Sequence, residues 1–239
     1  MFSKEIESFL KQKKYPVLEP KAVFFDMDGV LFDSMKYHAA AWVEALQQTG
    51  LPFTEYEAYM NEGRTGSSTI DGVYTSIYNR TATEEEKQNI YRLKSVLFEK
   101  NSKTERIPFA FELLNKIKSQ QFEIYVVTGS GQPSLLDSLE EYFPGIFQKD
   151  KMVTAFDVKI GKPHPEPYLM ALKKSGLKPW QVMVIENAPL GVESSSAAGL
   201  FTIGVNTGPL DAAVLLENGA NLVFNSMKDL YENWQNIYK

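Results

Sequence analysis

Near its start the chain places Ile6, Phe9 and Leu10 at roughly helical spacing among charged residues, until Pro16 and Pro20 interrupt the pattern. This predicts a short, peripheral helix within residues 1–20, dispensable for chemistry. Lys21-Ala22-Val23-Phe24-Phe25 is then a short apolar run of the kind that forms a buried strand, and it stops abruptly at Asp26-Met27-Asp28-Gly29. Two carboxylates therefore stand at the C-terminal end of that strand.

From Lys36 to about Arg106 the signals are helical. Thr83-Glu84-Glu85-Glu86 reads as a capping box opening a helix with Ile90, Leu93 and Leu97 on one face. The three glutamates complement that helix N-terminus. Beyond this stretch helices and strands alternate: a helix near 108–119, a strand at 122–127, a helix near 133–142, and a short strand near Met152. A helix near 166–175, a strand at 182–185, a helix at 189–198, strands at 201–205 and 222–224, and a closing helix at 226–237 follow. Such alternation predicts an α/β fold, a doubly wound parallel sheet. Residues 1–35 and 106–239 form its core and 36–105 an all-helical insertion. Trp42, Phe24 and Phe25 are read as core packing.

Composition narrows the function. With 239 residues, 44% hydrophobic and 23% charged, the chain suits one large or two small globular domains. Lys and Arg number 25 against 30 Asp and Glu, so a net charge of −5 argues against nucleic acid or anionic lipid as partner. No apolar run is long enough for a membrane span or a signal segment, which gives a cytoplasmic expectation. There is no Cys, and only His38 and His164 can offer imidazole, which leaves oxygen chemistry. Oligomeric state stays open; a monomer suffices for the chemistry.

Four strand ends carry polar groups: Asp26 and Asp28; Thr128-Gly129-Ser130; Lys162 within Gly161-Lys162-Pro163-His164-Pro165; and Glu186-Asn187. In a parallel sheet these ends converge, and ligands bind beyond them. Asp26, Glu186 and Asn187 offer oxygen to a hard cation such as Mg²⁺, which keeps few protein ligands and takes a substrate phosphate. Lys162 and Thr128 add a cation and a hydroxyl able to hold a phosphoryl group. A carboxylate with its charge so masked can attack phosphorus, and Asp26 fits that role. Asp28, two residues on, returns to the same side and can move protons.

Asp26-Met27-Asp28-Gly29-Val30, Thr128, Lys162 and Glu186-Asn187, in that order, resemble the four motifs of the haloacid dehalogenase superfamily of phosphotransferases. The insertion resembles that family's α-helical cap. Asp28 to Ser34, His38, Trp42 and the run Glu186 to Val192 further resemble the beta-phosphoglucomutase subgroup. The resemblance implies Asp26 as nucleophile, Asp28 as general acid/base, and Thr128, Gly129 and Lys162 around the phosphate. It also implies Mg²⁺ held by Asp26, the Asp28 carbonyl and Asn187, with Glu186 near through water. Asn187 stands where the family often has Asp. Mutases of the subgroup carry a Lys-Gly pair in the cap loop, whereas this chain has Glu62-Gly63-Arg64-Thr65, which resembles bacterial inorganic pyrophosphatases of the superfamily. His38 is open to a hinge or proton-relay role or to an ordinary polar contact.

The expected activity is an Mg²⁺-dependent phosphohydrolase acting on a small phosphorylated molecule or inorganic pyrophosphate. A beta-phosphoglucomutase is the alternative, and Glu62 tilts the choice toward water as acceptor, because it would repel a second phosphate. A phospho-acceptor receiver domain is more remote, since it needs neither Asp28 nor the insertion. A dinucleotide-binding dehydrogenase lacks its Gly-x-Gly-x-x-Gly after the first strand.

Overall fold

Ala22, Val23, Phe24 and Phe25 form β1 with every side chain buried, as a strand covered on both faces requires. The computed structural model describes residues 2–103, 105–131 and 133–238, with residues 133–136 described by their backbone alone. Around β1 stand β2 (Glu123–Val127), β3 (Met152–Val153), β4 (Val182–Glu186), β5 (Phe201–Val205) and β6 (Leu222–Phe224), all parallel, in the order β3-β2-β1-β4-β5-β6. The strand order reverses between β1 and β4, where crossovers leave a crevice at the C-terminal ends. Phe25 pairs with Ile185, so Asp26 and Glu186 lie side by side across it.

The helices in chain order are α1 (Ser3–Lys13), α2 (Met35–Gln48), α3 (Glu55–Met60), α4 (Gly66–Tyr78), α5 (Glu84–Asn101), α6 (Ala110–Ser119), α7 (Pro133–Tyr142), α8 (Glu166–Ser175), α9 (Pro189–Ala197), α10 (Ala212–Glu217) and α11 (Met227–Asn233). Helices α2 to α5 form the insertion. Leu46, Phe53, Tyr59, Ile70, Val73 and Ile90 give it an apolar core of its own. At its base, Ala41 and Ala45 of α2 and Leu97 and Phe98 of α5 join the main core, so the same two helices tie it to the sheet. The Thr83 capping box forms: its hydroxyl accepts the Glu86 N–H at 3.2 Å, and the Glu86 carboxylate accepts the Thr83 N–H at 2.7 Å.

Three expectations need adjustment. The N-terminal helix is not peripheral in packing: Phe9 is 1% exposed and meets Phe201 of β5 edge to face at 5.2 Å. Helix α10, absent from the sequence reading, is six residues long and is capped by Asp211, whose carboxylate accepts the Ala213 N–H. The closing helix gives way to a 3₁₀ turn at Trp234–Asn236, which drops the Trp234 ring into the core while its indole N–H donates to Gln120.

Because Phe9 fills a closed apolar site, Phe9→Ala should lower the unfolding free energy by about 3–5 kcal/mol. Urea unfolding checks this, and a loss below 1 kcal/mol would mean that α1 rests loosely on the sheet.

Candidate active site

Lys162, in the loop between β3 and α8, sends its ammonium beneath the crevice, where it is 1% exposed. It donates to Asp26 Oδ1 at 2.5 Å, to Glu186 Oε1 at 2.6 Å and to the Val127 carbonyl at 3.0 Å, so all three of its protons are used. Burial opposes its charge, but the two carboxylates outweigh burial and hold its pKa above the usual lysine range.

Glu186 is saturated. Its Oε1 also accepts the Tyr168 hydroxyl at 2.9 Å, and its Oε2 accepts the N–H groups of Asn187 and Ala188 at 3.0 and 3.1 Å. It is therefore an anchor for Lys162, and it influences a cation in the crevice through its charge rather than as a direct ligand. Asp26 differs: burial, helped by Glu186 and Asp28 and opposed by Lys162, raises its carboxyl to about 8. Two acids around one ammonium leave a place that favours a further positive charge.

Asp28 is held from the insertion side. Its Oδ1 accepts the Ser34 hydroxyl at 2.6 Å and lies 3.3 Å from His38 Nε2; Lys94 Nζ of α5 stands 2.7 Å from His38 Nδ1. An ammonium at Lys94 can only donate, which assigns the His38 proton to Nε2, where it points at Asp28 Oδ1. Burial and Lys94 keep the imidazole pKa low. Burial brings Lys94 down to about 8. Burial would raise Asp28, yet His38, Ser34 and Lys94 together lower it. The ring of His38 stacks on Phe98 at 4.0 Å between centroids, which fixes its plane.

The loop between α3 and α4 closes over the crevice. Glu62 is buried, and its Oε1 accepts the Asn187 Nδ2–H at 2.8 Å; burial raises its carboxyl well above the usual range. The loop backbone comes so near that a Cβ on Gly129 would stand 2.3 Å from the Gly63 carbonyl, and one on Gly29, whose φ is +78°, would stand 2.0 Å from Asn187 Nδ2. Both positions need glycine for space. A cavity of about 70 Å³ remains, lined by Asp26, Asp28, Thr128 and Gly129 of the core and by His38, Glu62, Gly63, Arg64 and Lys94 of the insertion, among others.

Of the residues singled out in the sequence, Asp26, Asp28, Lys162, Glu186, Asn187, His38, Glu62 and Gly63 meet here. Thr128 lies at the cavity wall, its hydroxyl accepting the Ser130 N–H at 2.9 Å. Thr65 is turned away: it caps α4 by accepting the Ser68 N–H. Trp42, read as core, is half-buried and lines the cavity. Lys94 was missed, although a lysine between Leu93 and Leu97, four residues after Ile90, sits on the apolar face of its helix and so asks for a buried partner.

The oxygen donors suit a hard cation. Asn187 Oδ1 is buried and lacks any hydrogen-bond partner, a loss of about 1–3 kcal/mol that a cation would offset. Among the described residues no group of three His, Cys, Asp or Glu is arranged to hold a metal. What stands here is mixed: the Asp26 carboxylate and the Asn187 amide oxygen. A cation that retains several waters needs no more.

The sequence profile of haloacid dehalogenase-like hydrolases matches residues 23–205. The chain is 31% identical over 206 residues to a phosphorylated carbohydrates phosphatase of Thermotoga maritima, covering 84% of this chain and 92% of the relative. It is 28% identical over 226 residues to the beta-phosphoglucomutase of Bacillus subtilis, covering 90% of this chain and 96% of that enzyme. Among solved structures, a Bacteroides vulgatus protein provisionally named beta-phosphoglucomutase superposes with a TM-score of 0.96 at 54% identity, over 100% of this chain and 98% of that one. This chain belongs to the haloacid dehalogenase-like hydrolases. It is an enzyme of that family, with the family's parallel sheet and helical cap. No helix among the described residues is long and apolar enough to cross a membrane.

A carboxyl whose folded-state pKa is raised stabilises fully below its unfolded value, ~4, and that stability is lost as pH rises through the folded value. For Asp26 the loss runs up to about pH 8 in metal-free protein. Unfolding of chelated protein from pH 5 to 9 should therefore show wild type losing stability relative to Asp26→Asn as pH rises. Parallel pH profiles would contradict the burial of Asp26 against Glu186 and Asp28.

Proposed function

We propose that this enzyme is a divalent-cation-dependent phosphohydrolase that works through an aspartyl-phosphate on Asp26 and accepts compact phosphorylated substrates. The observation that carries the hydrolytic reading is Glu62, an acid placed by the cap at the heart of the site and bonded to Asn187. A mutase must seat a sugar carrying two phosphates, and Glu62, charged or protonated, supplies none of the positive charge that a second phosphate needs. The named relatives include enzymes for phosphorylated carbohydrates and polyols, among them hexitol phosphatase A of Escherichia coli, and two proteins named as mutases, from Bacillus subtilis and Bacteroides vulgatus. None of these names mentions pyrophosphate, which remains in the reading as the most compact phosphorylated substrate.

Asp26 attacks phosphorus, and the bond from phosphorus to the leaving oxygen breaks with its electron pair passing to that oxygen. Asp28 supplies a proton to it where one is needed, with Lys94 and His38 behind it as the proton store. Water, its proton taken by Asp28, then attacks the phosphorus and regenerates the Asp26 carboxylate. Lys162 keeps Asp26 oriented throughout, and Thr128 and Gly129 border the phosphoryl group. Asp26, the Asp28 carbonyl and Asn187 are the residues that would hold Mg²⁺, which when bound offsets the charge of phosphate against two carboxylates.

Phosphate release from a panel of sugar phosphates, polyol phosphates and pyrophosphate tests this reading, with beta-glucose 1-phosphate and a trace of the 1,6-bisphosphate assayed for glucose 6-phosphate. Phosphate release is expected, abolished by EDTA, restored by Mg²⁺ and reduced by about 10⁴-fold or more in Asp26→Asn. Rapid isomerisation of the sugar phosphate with negligible free phosphate would make the enzyme a mutase.

A further inference from the structure

Tyr168, Ala171 and Leu172 form the apolar stripe of α8 and belong to one buried cluster with Phe24, Val127 and Val184 of the sheet. Tyr168 is fully buried. Packing of its ring needs no hydroxyl, and a phenol oxygen in such a layer is costly unless it is bonded. Here the hydroxyl donates to Glu186 Oε1 at 2.9 Å, and the ring centroid lies 5.2 Å from Lys162 Nζ, within cation–π range. Burial and the neighbouring carboxylates hold the phenol well above the usual tyrosine range, so it stays a donor.

The phenol is held in place by its own segment. The Glu166 carboxylate, in the first turn of α8, accepts the N–H groups of Lys159 and Ile160 at 2.9 and 3.0 Å, and Ser194 of α9 donates to the His164 carbonyl at 2.7 Å. The loop carrying Lys162 and the helix carrying Tyr168 are thus tied together. On another side the α9 backbone closes in: a Cβ on Gly191 would stand 1.8 Å from Glu186 Oε1. That oxygen takes two donors, Lys162 and Tyr168, while Lys162 is shared between Glu186 and Asp26. Two carboxylates therefore compete for one ammonium, and in a low-dielectric site the one with fewer other donors pulls harder. The phenol donates to the competitor of Asp26 and weakens its hold.

We infer that Tyr168 is a positioning residue: its hydroxyl, by donating to Glu186, balances the two carboxylates around Lys162 and keeps an ammonium proton on Asp26 through the reaction. The inference rests on the hydrolytic reading and deepens it. The demand is greatest after attack. Once Asp26 carries the phosphoryl group, its remaining oxygen is a carbonyl, a weaker acceptor than the Glu186 carboxylate. Without the phenol, Lys162 would be drawn to Glu186, away from the Asp26 oxygen on which charge returns when water attacks the phosphorus.

The test compares wild type, Tyr168→Phe and Leu172→Ala. Tyr168→Phe keeps the ring and loses only the hydroxyl, whereas Leu172→Ala loosens the same apolar layer without removing a hydrogen bond to Glu186 or Lys162. Tyr168→Phe should lower kcat by about 10-fold, the order of a hydrogen bond to a charged group, with KM changed by less than about twofold. Rapid quench should show formation and hydrolysis of the aspartyl-phosphate both slowed. Leu172→Ala should lower stability in urea yet leave kcat within about twofold of wild type. In resting enzyme, heteronuclear NMR of the lysine ammonium groups, with Lys94→Met used to tell Lys94 from Lys162, should show the Lys162 signal shifted in Tyr168→Phe and its protons exchanging about 10-fold faster. Unchanged kcat in Tyr168→Phe, or an equal loss of kcat in Leu172→Ala, would overturn the assignment. Should wild type release phosphate from none of the panel substrates, the hydrolytic reading fails by itself, and a Lys162 signal that is unchanged in Tyr168→Phe overturns the role of Tyr168 independently.

Discussion

The buried ammonium of Lys162 is the constraint on which the site is built. It lies between Asp26 and Glu186, which end adjacent strands at the point where strand order reverses, and without it two carboxylates would face each other in a low-dielectric pocket. Removing one partner of a buried ion pair typically costs about 3–5 kcal/mol because the other is left uncompensated. The arrangement therefore fixes more than Asp26. Glu186 is held by four hydrogen bonds, two from the backbone that opens toward α9, so the last strand-end loop is set by the same cation. The remaining negative charge makes the crevice receptive to a cation and a phosphoryl group.

Cap and core meet through complementary changes. The core presents an amide at Asn187 where the family often has an acid, and the cap presents an acid at Glu62 where its mutases have a base. Each substitution makes sense of the other: an aspartate at 187 would repel Glu62, whereas the amide gives it an N–H and keeps an oxygen for a cation. The close approach of Gly63 to Gly129 then allows the loop to sit directly on the core. A closed cap of this kind excludes water from the reacting atoms and strengthens every charge interaction inside.

Much of this was legible in the sequence, because strand-end chemistry depends on local patterns. The apolar run ending at Asp26, the alternation after Arg106 and the ordered polar strand ends give the sheet, its parallel sense and the convergence of Asp26, Thr128, Lys162 and Glu186. Contacts between distant segments were not legible. Nothing local pairs Lys94 with His38, 56 residues earlier, or turns Glu62 onto Asn187. The docking of Phe9 on Phe201 was hidden for the same reason: a single aromatic in a short amphipathic helix reads alike whether it is half-covered or fully buried. Short α10 fell below the length at which periodicity is informative, although Asp211 marked its start.

The most direct test of the central claim is acid quench of the enzyme during turnover of a substrate labelled in its phosphoryl group. If Asp26 is the nucleophile oriented by Lys162, phosphate should be trapped on the peptide containing Asp26, stable to acid and labile to base. Full turnover with no covalent phosphate on that peptide at any quench time would contradict the account and require water to attack the substrate directly.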